Sequence, residues 1–157
     1  MASGPSGDDG KNGSQAKVIR GAMIENLNRP AYLKLSVADK VVYSLLDSGA
    51  EITLIPTANS EGMQLEPYTR KVYAANGTEI HIRGVVEFCA YADGMPLQIT
   101  GLVSDHVSDM ILGLDFLCTQ AAVWSFDKGA VTIGEVEHKL HARAARKCCR
   151  RVYLEMK

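Results

Sequence analysis

Cysteine and long apolar runs are both scarce in this sequence, and each scarcity excludes a class of protein. Four cysteines are too few and too unevenly placed for a disulfide scaffold in a chain of 157 residues. Cys89 and Cys118 stand in apolar stretches, so we expect them to be small core residues. No apolar run approaches the roughly 18 residues that span a bilayer, and the polar N-terminus is unlike a signal peptide. We therefore expect an intracellular protein without a membrane partner.

A strong charge of one sign and a familiar metal motif are missing too. The net charge is -1 at pH 7, which does not suggest that the chain as a whole binds nucleic acid. The adjacent Cys148 and Cys149 could be grouped with His138 and His141 as zinc ligands. This spacing matches no common zinc finger or ribbon, so we expect no metal site.

The composition of the chain changes twice along its length. Residues 1–15 are rich in Gly, Ser and Asp and are expected to form a disordered leader. Because 46% of the chain is apolar, one sizeable core is expected, and we assign it to a single domain at residues 16–134. Residues 135–157 hold seven Lys or Arg against three Glu, a net charge of +4. This basic tail or linker has no aromatic platform beyond Tyr153, so nucleic-acid contact is not its expected role.

Short alternating runs separated by turn residues predict an all-β domain. The Asn-Gly pair at residues 76 and 77 is a strong hairpin signal, and residues 114–121 have the length and spacing of the one convincing helix. Strands at this density favour a small closed β-barrel carrying one short helix. The predicted strands are residues 17–25, 31–37, 40–46, 52–55, 70–75, 79–88, 89–91, 97–103, 110–113, 122–126 and 130–133.

The stretch from Leu45 to Ile55 stands out because an apolar run breaks at one short acidic turn and then resumes. The turn is Asp47-Ser48-Gly49, and it places a carboxylate where two buried strands meet. Serine can hydrogen-bond locally, and glycine allows a tight turn or a close approach. An ordinary turn explains the tripeptide equally well, since it should occur by chance in roughly a few per cent of chains this long.

The order of three motifs is far more specific than any one of them. An apolar strand leads into Asp-Ser-Gly-Ala at residues 47–50, an Asn-Gly hairpin follows, and Ile-Leu-Gly-Leu-Asp-Phe-Leu at residues 111–117 opens the helix. Over residues 32–134 this order resembles the retroviral-type aspartic proteases, or retropepsins. The residues of the hairpin and helix motifs are most similar to those of gypsy-type LTR retrotransposon proteases and domesticated retroviral-like aspartic proteases. Retroviral members more often carry an arginine where this chain has Leu114, so the salt bridge of that arginine is not expected here.

The resemblance implies a mechanism that needs two chains. Aspartic proteases use two facing carboxylates, and this sequence has one Asp-Ser-Gly, so a homodimer with one Asp47 from each subunit is implied. The pair would activate a water without a metal or cofactor. Ser48 would brace the pair across the interface, and Gly49 would bring its backbone near the substrate.

The resemblance also implies where a peptide would bind. The Asn-Gly hairpin would be a flap that closes over an extended substrate, and apolar residues would form the pocket walls. Leu45 and Leu54 match wall positions too, but a core role suits them better. The implied substrate-binding residues are Ala50, Ile52, Tyr73, Ala74, Ala75, Asn76, Gly77, Val103 and Ile111.

Two other interpretations remain open from the sequence. A non-catalytic dimerisation or peptide-binding module could keep the retropepsin fold, although a pure scaffold has no use for two facing carboxylates. A small β-domain with a coincidental turn does not easily explain three motifs in order. For the protease, the resemblance implies a polyprotein substrate and a location in the cytoplasm or within a virus-like particle.

Overall fold

The hairpin that leads into Asp47 forms as its sequence predicts. In the computed structural model, which describes residues 29–142, β1 (Pro30–Val37) pairs antiparallel with β2 (Lys40–Leu46). The two turn residues, Ala38 and Asp39, have positive φ values of 49° and 67°. Two-residue hairpin turns of this hand match the right-handed twist of the strands. The hairpin therefore delivers Asp47 at the end of β2.

The remaining elements are short, and strands dominate among them. One α-helix, α1 (Leu114–Thr119), occurs in the described residues, and none of their helices has the length and hydropathy needed to cross a bilayer. Ala121, with a positive φ of 49°, follows α1 and ends it earlier than predicted. The elements are β3 (Leu54–Pro56), a 3₁₀-helix (Thr57–Ser60), β4 (Val72–Tyr73), β5 (Glu79–Ile80), β6 (Gly84–Ala92), β7 (Met95–Ser104), β8 (Ile111–Leu112), α1 (Leu114–Thr119), β9 (Val123–Ser125), β10 (Ala130–Ile133), β11 (Val136–Lys139) and β12 (His141–Ala142).

Six strands close into a barrel. Their order is β1-β2-β8-β3-β7-β6, and the Ser36–Tyr91 pairing between β1 and β6 joins the two ends. β12 extends the sheet at β1, while β4–β5 and β11-β10-β9 form two separate small sheets. Closure removes the exposed edges that an open sheet of short strands would leave. The predicted fold class, a small closed β-barrel with one short helix, is confirmed.

Alternation along β6 and β7 fills the barrel with apolar side chains. Val86, Phe88 and Ala90 point inward from β6 and meet Leu97 and Ile99 of β7. Full burial of each large apolar side chain contributes about 1.5–3 kcal/mol. Residues between them point outward, because successive strand side chains face opposite sides.

This alternation corrects the assignment of two cysteines to the core. Cys89 lies between the inward-facing Phe88 and Ala90, so its thiol is exposed. Cys118 is also exposed, on the outer side of a helix whose Phe116 is buried. Apolar neighbours in the sequence did not reveal these orientations, because strand and helix periodicity decides which residue faces the core.

Strand structure continues beyond residue 134, where the sequence pattern placed the end of the domain. β11 pairs with β10, and β12 joins the barrel. His138 and Leu140 are buried there, and His138 Nδ1 lies 2.8 Å from the Asp93 carboxylate in the β6–β7 turn. Pro30–His141 forms one compact unit. The predicted leader, the strand at residues 17–25 and the rest of the basic tail lie outside the described residues.

Candidate active site

Asp47 is held at the mouth of the barrel by the neighbouring strand. β2 and β8 run parallel, with Leu46 opposite Leu112. The backbone N–H of Asp47 donates to the carbonyl oxygen of Leu112 at 3.0 Å, one residue beyond the end of β2. The main chain therefore stays fixed up to the residue that carries the carboxylate.

The turn after β2 orients the Asp47 carboxylate. Its Oδ1 accepts a hydrogen bond from the backbone N–H of Gly49 at 2.9 Å. The backbone carbonyl oxygen of Asp47 accepts a second one from the backbone N–H of Ala50 at 3.2 Å. A Cβ added at Gly49 would stand 3.2 Å from Oδ1, so glycine leaves room for this close arrangement. Asp47 is half-buried, while Ser48 and Gly49 are exposed. The carboxylate is thus oriented from one side and accessible from the other.

A side-chain latch between Thr53 and Asp115 fixes the far end of the acidic turn, and sequence reasoning missed it. Asp115 Oδ1 accepts from the Thr53 hydroxyl at 2.7 Å, and Oδ2 accepts from the Thr53 backbone N–H at 3.1 Å. The same hydroxyl oxygen accepts from the backbone N–H of Gly113 at 3.1 Å. Thr53 is fully buried. Asp115 of the helix motif therefore stabilises the end of the acidic turn, a role that its place in the sequence did not reveal.

Gly113 lets the helix start pass close behind the acidic turn. The Leu114 backbone N–H donates to the Ala50 carbonyl oxygen at 2.7 Å. A Cβ at residue 113 would lie 2.7 Å from that oxygen and 2.8 Å from the carbonyl carbon and oxygen of Ile52. These are backbone atoms of the turn itself, so they have little freedom to move away.

Gly113→Ala is expected to lower the free energy of unfolding by about 1–2 kcal/mol through this overpacking. The displaced turn should also weaken any activity that depends on Asp47. Thermal unfolding of the variant measures the first effect and peptide cleavage the second. An unchanged midpoint of unfolding would contradict the close packing described for Gly113.

The predicted flap is a small hairpin built from β4 and β5. Its strands pair Val72 with Ile80 and Tyr73 with Glu79. At the tip, Gly77 has a φ of 87°, and the Asn76 side chain accepts from the Thr78 backbone N–H at 3.0 Å. The second predicted run, residues 79–88, divides between two sheets, because β5 ends at residue 80 and β6 begins at residue 84.

The sequence-predicted binding residues fall into three groups in the structure. On the flap, Tyr73 is 57% exposed, Ala75, Asn76 and Gly77 are exposed, and Ala74 is half-buried. Ala50, Ile52 and Ile111 are half-buried near Asp47, as are Leu45 and Leu54. Val103 is different, since it is fully buried in the core cluster opposite Ile55. Its side chain therefore serves packing here and does not form an open pocket wall.

The histidines considered as zinc ligands have other surroundings. His138 faces Asp93, and no described residue offers a hydrogen-bond partner to its buried Nε2. Burial lowers the pKa of His141, and the nearby Lys34 and Lys139 lower it further. Among residues 29–142, no group of three or more His, Cys, Asp or Glu side chains is placed to hold a metal ion. The two adjacent cysteines of that set lie outside this range.

Comparison with known proteins adds structural likeness without close sequence similarity. No protein family model matches the chain, and no curated protein matches it. The retroviral protease-like domain of Ddi1 from Leishmania major superposes with a TM-score of 0.61 at 18% identity, covering 73% of this chain and 96% of that domain. The EIAV protease, solved in complex with the inhibitor HBY-793, gives a TM-score of 0.52 at 20% identity, covering 64% of this chain and 96% of the protease. The domain therefore has the retropepsin fold. The gypsy-type and domesticated relationships stay predictions.

Proposed function

We propose that this chain is an aspartic endopeptidase that acts as a homodimer on a retrotransposon or retrovirus-like polyprotein. The observation that carries the proposal is the Asp47 turn, whose carboxylate accepts the Gly49 N–H at the mouth of a retropepsin-fold barrel. The Thr53–Asp115 latch supports the same turn from behind. A carboxylate that is both oriented and accessible suits general acid-base chemistry.

The mechanism follows from bringing two copies of Asp47 together on a two-fold axis. Two facing carboxylates cannot both stay ionised at low energetic cost, so the pair holds one proton. The ionised member takes a proton from a water bound between them, and the water oxygen attacks the scissile carbonyl carbon. The protonated member donates to the carbonyl oxygen, which gives a tetrahedral intermediate. Collapse breaks the C–N bond, and the leaving nitrogen takes up a proton.

Other residues would bind and enclose the peptide. Ser48 would brace the pair from one subunit to the other, and the Gly49 backbone would lie against the substrate. The peptide would bind as an added strand, and the β4–β5 flap would cover it and exclude water from the reaction. This chemistry needs no metal or cofactor. We also propose that the protease works in the cytoplasm or within a virus-like particle, where its polyprotein would be assembled.

Cleavage by the purified chain should depend steeply on protein concentration, because the active unit is a dimer. A mixed peptide library would be incubated from pH 4 to 7 at several enzyme concentrations, with and without pepstatin. We expect pepstatin-sensitive cleavage that favours acidic pH and rises faster than linearly with concentration. Absence of cleavage by a chain shown to be dimeric would contradict the proposal and favour a peptide-binding module instead.

A further inference from the structure

An ion pair joins the base of the flap to the barrel. Both Nε and Nη2 of Arg83 lie 2.8 Å from Oδ2 of Asp105. The other carboxylate oxygen, Oδ1, accepts from the Thr57 hydroxyl at 2.5 Å. The Asp105 carboxylate therefore has a partner on each oxygen, which fixes its orientation.

The three partners come from three separate segments of the chain. Arg83 stands between β5 of the flap and β6 of the barrel. Thr57 follows β3, the strand that leaves the acidic turn, and Asp105 follows β7, which pairs parallel to β3 with Pro56 opposite Ser104. The loop that begins at Asp105 runs on to β8, which holds the Asp47 backbone. One carboxylate thus connects the base of the flap with the ends of β3 and β7.

The flap segment is bounded by a backbone bridge close to this ion pair. Glu66 and Val85 exchange two backbone hydrogen bonds of 2.8 Å each, so residues 67–83, which precede β6, form the projecting segment. Just inside this bridge, the Arg83 N–H donates to the Val103 carbonyl oxygen at 2.7 Å. The main chain of Arg83 is therefore anchored, and its side chain sets a second contact at a fixed place. These two contacts would restrain a rotation of the β4–β5 hairpin about residues 81–85.

Arg83 and Asp105 shift each other's pKa. The hydrogen bond from Arg83 lowers the pKa of Asp105, and the Thr57 hydroxyl lowers it further. The hydrogen bond and charge of Asp105 raise the pKa of Arg83 in turn. Charge from His106 also favours the ionised form of Asp105. Both shifts in pKa favour the charged forms of the two groups.

A contribution to global stability does not account for this arrangement. The two side chains are 51% and 46% exposed, and exposed ion pairs contribute about 0–1 kcal/mol. What distinguishes the pair is its position between the β4–β5 hairpin and the barrel. In the proposed function, this hairpin closes over the barrel at Asp47. We propose that the Arg83–Asp105–Thr57 contact is a flap anchor, in which three positioning residues set the angle and mobility of the β4–β5 hairpin over Asp47. This role rests on the proposed peptidase function.

Hydrogen exchange of the flap, measured beside cleavage kinetics, tests the anchor. Arg83→Gln and Asp105→Asn each remove the ion pair, and the exchanged variant Arg83→Asp with Asp105→Arg restores it in reverse. Lys128→Gln is the matched control, because Lys128 forms an exposed pair with Glu137 at 3.9 Å. This pair belongs to the β11-β10-β9 sheet, apart from the flap. All variants would be made in the full chain.

We expect amides of residues 72–80 to exchange about two- to fivefold faster in Arg83→Gln and Asp105→Asn. The peptide KM should rise by about the same factor while kcat changes less, since the flap captures substrate and Asp47 performs the chemistry. The exchanged variant should recover part of both losses, and Lys128→Gln should match the wild type.

Unchanged flap exchange in both single variants would overturn the anchor, whatever the cleavage results. Faster exchange with an unaltered KM would overturn its role in substrate capture. A wild-type chain that cleaves nothing would contradict the proposed function, and the exchange comparison would still decide whether the ion pair holds the hairpin. The two failures are therefore distinguishable.

Discussion

Asp47→Asn is expected to reduce peptide cleavage by at least about 10³-fold while leaving the fold intact. The amide cannot share a proton with its partner or take one from water, so general base catalysis is lost. The asparagine carbonyl can still accept the Gly49 N–H that Asp47 Oδ1 accepts at 2.9 Å. The midpoint of thermal unfolding should therefore stay close to that of the wild type. Undiminished cleavage by a homogeneous Asp47→Asn preparation would exclude Asp47 as the catalytic carboxylate.

Mixing the wild-type chain with the Asp47→Asn variant gives a sharper form of the same test. If each active unit needs two Asp47 carboxylates, heterodimers with one asparagine are inactive. At constant total protein, activity should then fall roughly as the square of the wild-type fraction, because chains combine at random. A linear fall would mean that one carboxylate per active unit is enough, which contradicts a shared pair.

Asp115→Ala is expected to lower the free energy of unfolding by about 3 kcal/mol, the largest stability effect among the changes considered. The carboxylate accepts from the Thr53 hydroxyl, the Thr53 backbone N–H and the Phe116 backbone N–H at 2.7–3.1 Å. Hydrogen bonds to a charged group contribute about 1.5–3 kcal/mol each, with partial overlap. Because Thr53 is fully buried, its polar groups would lose partners that water does not easily replace.

Chemical denaturation of Asp115→Ala, Thr53→Val and the double variant would measure this latch. The double variant should lose less stability than the sum of the single losses, since both changes remove the same contact. Asp127→Ala is the matched control, because Asp127 accepts an exposed hydrogen bond from Ser125 Oγ at 3.1 Å, and its effect should stay within about 0.5 kcal/mol. A loss for Asp115→Ala no larger than that of Asp127→Ala would contradict the latch.

Local features of the fold could be predicted from the sequence because they depend on neighbours in the chain. Alternation and a two-residue turn predicted β1 and β2, and the Asn-Gly pair predicted the turn between β4 and β5. The Asp47 turn was predicted for the same reason, since its stabilising hydrogen bond joins residues only two apart. The barrel class followed from the density of such strands.

The boundary between flap and barrel was not predictable from alternation. Residues 79–88 were predicted as one alternating run, yet β5 and β6 belong to different sheets. The break occurs where Gly84 passes the Glu66 carbonyl oxygen so closely that a Cβ would approach it to 2.7 Å. A contact with a strand partner far along the chain thus decides where the pattern stops belonging to the hairpin.

The sequence by itself determined the strand pattern, the hairpin turns and the carboxylate at the end of β2, because periodicity and turn chemistry act over a few residues. Only the tertiary structure decided what supports that carboxylate. The Thr53–Asp115 latch joins residues 62 positions apart, and the Arg83–Asp105 pair joins residues 22 positions apart. No local pattern records the first contact, because Thr53 and Asp115 approach each other only when β3 pairs with β8. The second contact lies at the open end of the β6–β7 hairpin, where Gly84 pairs with Val103. Val103 faces the core and Cys89 faces outward, since the register of each strand in its sheet decides which residues face the core.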